Sequence, residues 1–227
     1  MLKPCYLLIL FLAVFNIAAQ SQNQVSDPDP LRFEKELDVF AQWDKKNSSP
    51  EEAILFVGSS SIKGWETHLA FPDLPIINRG FGGSHISDVN FFYQKVIKKY
   101  NPRLIVFYAG DNDIAAGKPV KRVFDDYQKL TDRILSDNPN TRFLFISIKP
   151  SGSRLDKWND MNEFNQQVDE YNQLNERLFY IDLATPLLNS EGRPDHNYYL
   201  DDQLHLNNQG YDIWNQSIGT ELHNLFR

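Results

Sequence analysis

Three serines, Ser59, Ser60 and Ser61, follow directly on the apolar run Ile54-Leu55-Phe56-Val57-Gly58, and Asp202 stands three residues before His205. A serine hydroxyl is a weak nucleophile until a base takes its proton, and histidine is the side chain suited to that task near neutral pH. An acid three residues upstream can hold one imidazole nitrogen while the other reaches a serine. With the nucleophile early in the chain and acid and base together late, the spacing points to acyl transfer by a serine hydrolase.

Acyl transfer also needs hydrogen-bond donors aimed at the oxyanion that develops during attack. Two further blocks supply candidates: Asn78-Arg79-Gly80-Phe81-Gly82-Gly83-Ser84 and Gly110-Asp111-Asn112-Asp113. Gly83 has no side chain, so its backbone N–H can approach a substrate oxygen closely. Asn112 can offer an amide N–H to the same oxygen, and Ser60 its own backbone N–H at the start of a helical turn.

These residues must be positioned by regular elements. Strand character is read in Ile54–Gly58, Leu74–Asn78, Leu104–Ala109, Phe143–Ile148 and Phe179–Leu183. Helical patterns fall on Leu31–Lys45, Ile86–Lys99, Val120–Ser136, Met161–Glu176 and Asn208–Phe226. Strands alternating with helices of this length predict right-handed βαβ crossovers and a mostly parallel sheet covered on both faces. Loops after the strands then share one edge, and every candidate catalytic residue is expected just after a strand.

The four blocks, in this order, resemble those of the SGNH, or GDSL-type, hydrolases (lipases and acylhydrolases), named for a recurring serine, glycine, asparagine and histidine. The similarity runs from about Ala53 to the C-terminus. It implies a flavodoxin-like three-layer α/β/α sandwich with a mostly parallel five-stranded sheet. It also implies Ser60 as nucleophile, His205 as general base and Asp202 as its partner. The oxyanion hole would be formed by Ser60, Gly83 and Asn112. The sequence departs from the family pattern in two places. Ser59 stands where Gly-Asp-Ser has its acid, and the serine run leaves the register open by one residue. Matching Gly64-Trp65 to the family's frequent Gly-Trp selects Ser60 without a gap. Asp111 stands where a small or hydroxyl residue is usual; a carboxylate pointing into the hole would oppose an oxyanion, so it is expected to point away.

Other readings of the same residues are structural. Gly80 and Gly82 are read as turn glycines, and Asp113 as a loop buttress. His85 either lines the pocket or is a partly exposed loop residue, and Arg79 binds either a carboxylate of the protein or a substrate anion. Asp195-His196 is a rival acid–base pair ranked below Asp202/His205, because adjacent residues lack the i, i+3 turn. Trp65, Trp158, Tyr198 and Tyr199 are read as packing aromatics, with a sugar-stacking rim as the alternative. The histidines show neither His-x-His nor His-Glu-x-x-His spacing, and Arg79–Gly83 is not a dinucleotide fingerprint, so no metal or cofactor is expected.

Residues 1–19 read as a cleaved secretory signal: Lys3 precedes the apolar stretch Tyr6–Phe15, and Ala18-Ala19 offers a small-residue cut site. A membrane anchor is the competing reading, but the stretch is shorter than the ~20 residues that span a bilayer. Cys5, the one cysteine, leaves with the signal, so the mature chain is expected to carry neither thiol chemistry nor disulfides. Residues 20–52 form a polar leader and an N-terminal helix, and 53–227 the hydrolase domain. The net charge of −7 argues against nucleic acid or an anionic membrane as a partner.

The expectation is therefore a periplasmic or secreted serine esterase acting on a small-molecule or carbohydrate ester, with no stable membrane span after cleavage. Family breadth and export favour a short acyl group, acetate first, on a carbohydrate. A lysophospholipase or thioesterase is the alternative; a non-catalytic binding module on the same scaffold is a third reading, supported only by the missing aspartate.

Overall fold

A computed structural model describes residues 25–226. The signal reading, and Cys5 with it, lies outside the described residues. The strands are β1 (Ile54–Gly58), β2 (Ile76–Gly80), β3 (Leu104–Tyr108), β4 (Arg142–Ile146) and β5 (Leu178–Ile181). The α-helices are α1 (Glu34–Lys46), α2 (Ser60–Lys63), α3 (Thr67–Ala70), α4 (Ile86–Phe91), α5 (Tyr93–Val96), α6 (Asp111–Ala115), α7 (Val120–Asp137), α8 (Trp158–Asn172) and α9 (Asn208–Phe226). Short 3₁₀ turns occur at Pro30–Phe33, Lys98–Tyr100, Gly152–Lys157, Thr185–Leu187 and His196–Tyr198.

All five strands are parallel, in the order β2-β1-β3-β4-β5. This is the flavodoxin-like order, whose switch point lies between β1 and β3. The two strands at that point are buried along their whole length, as a strand covered on both faces must be. Their side chains alternate between two cores. Leu55, Val57, Ile105, Phe107, Phe143 and Phe145 face one, which α4, α5, α7 and α8 cover with residues such as Val89, Tyr93, Tyr127 and Phe164. Ile54, Phe56, Leu104, Val106, Leu144 and Ile146 face the other, closed by Trp214, Ile218 and Leu222 of α9 together with Ile62 and Trp65. The result is the three-layer sandwich expected from the alternation of elements.

Departures from the expected boundaries have local causes. β2 begins at Ile76 rather than Leu74 because Pro75 has no N–H for the ladder; its carbonyl still accepts from Ile54 N–H at 3.0 Å. β5 stops at Ile181, two residues short of Leu183. There the Ser147 hydroxyl takes the Leu183 and Ala184 N–H groups, and Asp182 takes those of Ala184 and Thr185. The helix read over Ile86–Lys99 is instead α4, α5 and a 3₁₀ turn. Its backbone tightens around Phe92, where Lys95 N–H donates to Phe92 O at 2.7 Å, a bond of i+3 type.

Candidate active site

Gly58 ends β1 in a conformation (φ +141°) that side chains rarely adopt, and a Cβ there would lie 2.0 Å from Tyr108 O. The close approach lets Ser59 N–H bond to Tyr108 O at 2.9 Å and turns the chain at once into α2. Ser60 is the first residue of that turn. The turn is pinned from both sides. The Asn78 amide of β2 donates to Ile62 O at 2.7 Å, and the Tyr211 hydroxyl of α9 donates to Ser61 O at 2.9 Å. Ser59 and Ser61 are both buried, whereas Ser60 is half-buried and faces the loop before α9.

In that loop Asp202 organises its own turn. Its Oδ1 accepts the N–H groups of Leu204 (2.9 Å) and His205 (3.0 Å), and its Oδ2 lies 2.6 Å from His205 Nδ1. His205 Nε2 is 3.0 Å from Ser60 Oγ. The hydrogen bond from His205, with the two backbone N–H groups, holds the Asp202 carboxyl down at about 2. Asp202 therefore stays an anion through the neutral and mildly acidic range. The geometry links Ser60, His205 and Asp202 in a continuous relay along which a proton can leave the serine. The expected position of every candidate just after a strand holds for Ser60, Gly83 and Asn112 but not for this pair. β5 ends at Ile181, and two 3₁₀ turns intervene before Asp202. The bridge between Tyr199 and buried Leu206, not a strand end, brackets the turn.

The donor side is built differently. Gly83 sits at φ +78° in the loop after β2, with nothing within 4 Å of where a Cβ would stand. The backbone N–H groups of Ser60 and Gly83 have no acceptor among the described residues. Asn112 lies in α6 directly after β3, and its Nδ2 donates to Ser84 O at 3.1 Å, tying the second and third blocks together. Asp111 is 5 % exposed and bonded to Arg154 Nη1 at 3.0 Å, while Arg154 Nη2 donates to Asn112 Oδ1 at 2.9 Å. Arg154 was not visible as a site residue in the sequence.

Beneath this loop Asp113 is fully buried. Its Oδ2 accepts Ile86 N–H at 3.1 Å and its Oδ1 accepts Lys118 Nζ at 2.8 Å. Burial pushes its carboxyl up, and the Lys118 ammonium opposes that shift. It buttresses the loop, as read from the sequence. Lys149, just past β4, is a second buried cation whose Nζ lies 5.7 Å from the Tyr108 ring centroid and 6.0 Å from that of Tyr199. Burial lowers its pKa to about 8, against the attraction of Asp111.

The residues with two readings are resolved. His85 is neither exposed nor on the pocket rim: it is 5 % exposed, with Nδ1 3.6 Å from Asp113 Oδ1. Burial, then the charges of Lys118 and Arg32, lower its pKa to about 4. Arg79 binds the protein's own Asp44 (2.5 Å) and the Tyr100 hydroxyl (2.5 Å). Asp195 and His196 are not partnered: Asp195 caps Asn197 N–H, and His196 Nδ1 contacts Gln203 Oε1. Trp65 packs against Phe56, Phe71 and Trp214 with its indole N–H on Asn215, and it also lines the groove beside Ser60. Tyr199 is buried too, its hydroxyl donating to Pro150 O. Trp158 and Tyr198 are half-buried against the two cores.

An open groove of about 1110 Å³ runs from Ser60 and His205 between α3 and α9. Leu69 and Leu200 stand exposed along it, and Glu66, Asp212, Asn208, Gln209 and Asn215 supply polar groups. Among the described residues no lysine or arginine lines it. Among the described residues no three His, Cys, Asp or Glu side chains converge as a metal-binding cluster. No helix among them is long and apolar enough to cross a membrane.

Residues 56–213 match the GDSL-like Lipase/Acylhydrolase family. The chain belongs to this acylhydrolase family. All four blocks sit within this one continuous match. Among solved structures it is similar to a Streptococcus pneumonia protein described as a candidate platelet activating factor. The two are 21% identical over 85% of this chain and 94% of that one, with a TM-score of 0.76. A GDSL-like lipase of Bacteroides thetaiotaomicron is 20% identical, covering 83% and 97% of the two chains, with a TM-score of 0.73. An acetyl xylan esterase is 20% identical over 75% of this chain and 99% of that one, with a TM-score of 0.65. At these identities the likeness speaks to the fold. No curated protein is close enough in sequence to count as a match.

Proposed function

We propose that the protein is an exported serine esterase that removes short acyl groups, acetate first, from carbohydrate esters through an acyl-enzyme. The observation that carries this reading is the relay from Ser60 Oγ through His205 to Asp202, with hydrogen bonds of 3.0 and 2.6 Å. In the proposed cycle Ser60 Oγ attacks the ester carbonyl carbon as His205 Nε2 takes its proton. The C=O electron pair moves onto oxygen, where Ser60 N–H, Gly83 N–H and the Asn112 amide stabilise it. His205 then returns the proton to the leaving alcohol as the carbon–oxygen bond breaks. Water, deprotonated by the same imidazole, releases the acid from Ser60 in a second round. Asp202 stays ionised throughout and stabilises the imidazolium.

The groove supports the choice of leaving group. Carboxylates and amides match the hydroxyls of a neutral polyol, while two carboxylates without a cation disfavour the phosphate of a lysophospholipid. The likeness to an acetyl xylan esterase agrees with a carbohydrate acetate, and the apolar Tyr6–Phe15 stretch after Lys3 supports export. The test is turnover of p-nitrophenyl acetate against p-nitrophenyl palmitate, followed by acetate release from acetylated polysaccharides, with Ser60→Ala as blank. Faster acetate than palmitate turnover, lost in the blank, is expected. Preference for palmitate would sink the short-acyl assignment and restore the lysophospholipase or thioesterase reading.

A further inference from the structure

We propose that Arg154 is a positioning residue for the oxyanion donor Asn112, and the counterion that makes Asp111 tolerable beside that donor. The inference rests on the esterase reading above and assigns work to a side chain outside the four blocks.

An asparagine amide can sit in its place in two ways, related by exchange of its oxygen and nitrogen. Only one of them presents N–H to a substrate oxygen. Here two partners of opposite kind select it. The Arg154 guanidinium can only donate, so the atom it meets at 2.9 Å must be Asn112 Oδ1. The Ser84 carbonyl can only accept, so the atom it meets at 3.1 Å must be Nδ2. Exchanging the two would set N–H against guanidinium and oxygen against oxygen. With the amide so fixed, one Nδ2 hydrogen is held by Ser84, and the other has no acceptor among the described residues. That is the hydrogen available to an oxyanion.

The other arm of the same fork explains Asp111. Nη1 donates to Asp111 Oδ2 at 3.0 Å, and the Asp111 side chain is only 5 % exposed. A buried carboxylate next to the donor would repel a developing oxyanion unless a cation offset it. The planar guanidinium reaches both neighbours at once, which a lysine ammonium cannot do with the same geometry. Lys149, buried beside Tyr108 and Tyr199, is a further cation attracted by Asp111, but no hydrogen bond joins it to Asn112 among the described residues. The loop carrying Arg154 is itself anchored to the acid–base turn, since Ser153 N–H donates to Gln203 O at 3.1 Å. One segment thus holds the donor and lies against the turn of Asp202 and His205.

The test is a double-mutant cycle on p-nitrophenyl acetate, with kcat taken per active site titrated by a fluorophosphonate. Arg154→Ala should lower kcat roughly ten- to a hundredfold, less than the ~10²–10³ lost on removing an oxyanion donor, with KM little changed. With the counterion role removed by Asp111→Asn, Arg154 acts only through Asn112, so in that background adding Arg154→Ala to Asn112→Ala should cost no more than about twofold further. Arg154→Lys, which keeps the charge but not the fork, should fall between wild type and Arg154→Ala. It carries the same cycle if Arg154→Ala does not fold. Asp111→Asn should restore part of the activity lost in Arg154→Ala. A multiplicative loss of Arg154→Ala and Asn112→Ala in the Asp111→Asn background, or wild-type kcat in Arg154→Ala, overturns the positioning role. No recovery from Asp111→Asn overturns the counterion role. A wild type without Ser60-dependent turnover overturns the esterase reading itself, and with it the inference. A purely structural Arg154 would lower the titrated fraction and the melting temperature while leaving kcat per site intact.

Discussion

The two halves of the site are built on opposite plans. The acid–base half is a single turn in which Asp202 and His205 keep 48 % and 38 % of their side chains exposed and, apart from the contact of His205 with Ser60, make their hydrogen bonds within the turn. The donor half is assembled from distant parts of the chain over a buried base: Ser84, Asp111 and Asp113 are buried, Asn112 is half-buried and Gly83 is exposed. Asn112 meets Ser84 and Arg154, Asp111 meets Arg154, and Asp113 meets Ile86 and Lys118. A short-range motif can present a base wherever the chain passes the serine. Donors that must not move when charge develops need a rigid, desolvated frame. The first half should therefore tolerate substitution in stability but not in activity, and the second should be sensitive in both.

The largest expected effect lies in the exposed half. Ser60→Ala and His205→Ala should each lower kcat on the order of 10⁴–10⁶, with little further loss in the double variant, since the two act as one unit. Independent, multiplying losses in steady-state kinetics would break the relay. Asp202→Asn should cost less than His205→Ala, because it misorients the base without deleting it. Its melting temperature should stay near that of the wild type, as expected for an exposed pair. A large drop in melting temperature would erase the contrast drawn above.

Asn112→Ala should lower kcat by ~10²–10³ with little change in KM. A residue that merely tied loops would instead lower stability by ~1 kcal/mol and leave kcat per folded molecule intact. Kinetics and thermal unfolding on one preparation separate the two. Asp113→Ala should act mainly on stability. Breaking a buried ion pair costs ~3–5 kcal/mol, and the loss should fall at the lower end of that range because Lys118 retains Asp27. Urea unfolding measures it, and an unchanged midpoint would show that the buried frame is not what holds the donors.

The smallest effect is a pH dependence. Lys149 has a folded pKa of about 8, below its ordinary 10.5, so between those values the unfolded chain binds more protons than the native one. Stability attributable to Lys149 should thus rise with pH from about 8 toward 10.5, and the burial penalty is fully present below about 8. In Lys149→Met that contribution to the slope should vanish. Urea titrations of both proteins at pH 7, 8, 9 and 10 give the difference; parallel curves would mean that the ammonium is not desolvated as the structure places it.

The same contrast explains what the sequence disclosed. Strand–helix alternation and the Asp202-to-His205 spacing are local, and both were legible: the period-2 division of β1, β3 and β4 between two cores follows from their continuous apolar runs. The order of blocks anticipated the family that the match over residues 56–213 shows. Which of three serines meets His205 was open by one residue in the sequence, since all are hydroxyls next to Gly58; the turn into α2 brings Ser60, and neither buried neighbour, to the imidazole. Arg154 was hidden because its partners lie more than forty positions upstream and nothing in Ser151–Arg154 marks it. The available signal was indirect. A carboxylate at Asp111, where a small residue is usual, requires a cation somewhere else in the chain. Neither reading of His85, pocket-lining or partly exposed, holds, and for the complementary reason: a histidine after glycines reads as a loop residue, and only the tertiary contact with Asp113 at the start of α4 shows it buried.

The proposed reaction requires Ser60, and neither of its neighbours, to be the activated hydroxyl. Reaction with a fluorophosphonate probe followed by peptide mass spectrometry tests it directly, using wild type, Ser59→Ala, Ser60→Ala and Ser61→Ala. A single covalent adduct on Ser60 is predicted, retained in the Ser59 and Ser61 variants and absent from Ser60→Ala and His205→Ala. An adduct on Ser59 or Ser61, or a folded wild type that takes no label at all, would contradict it.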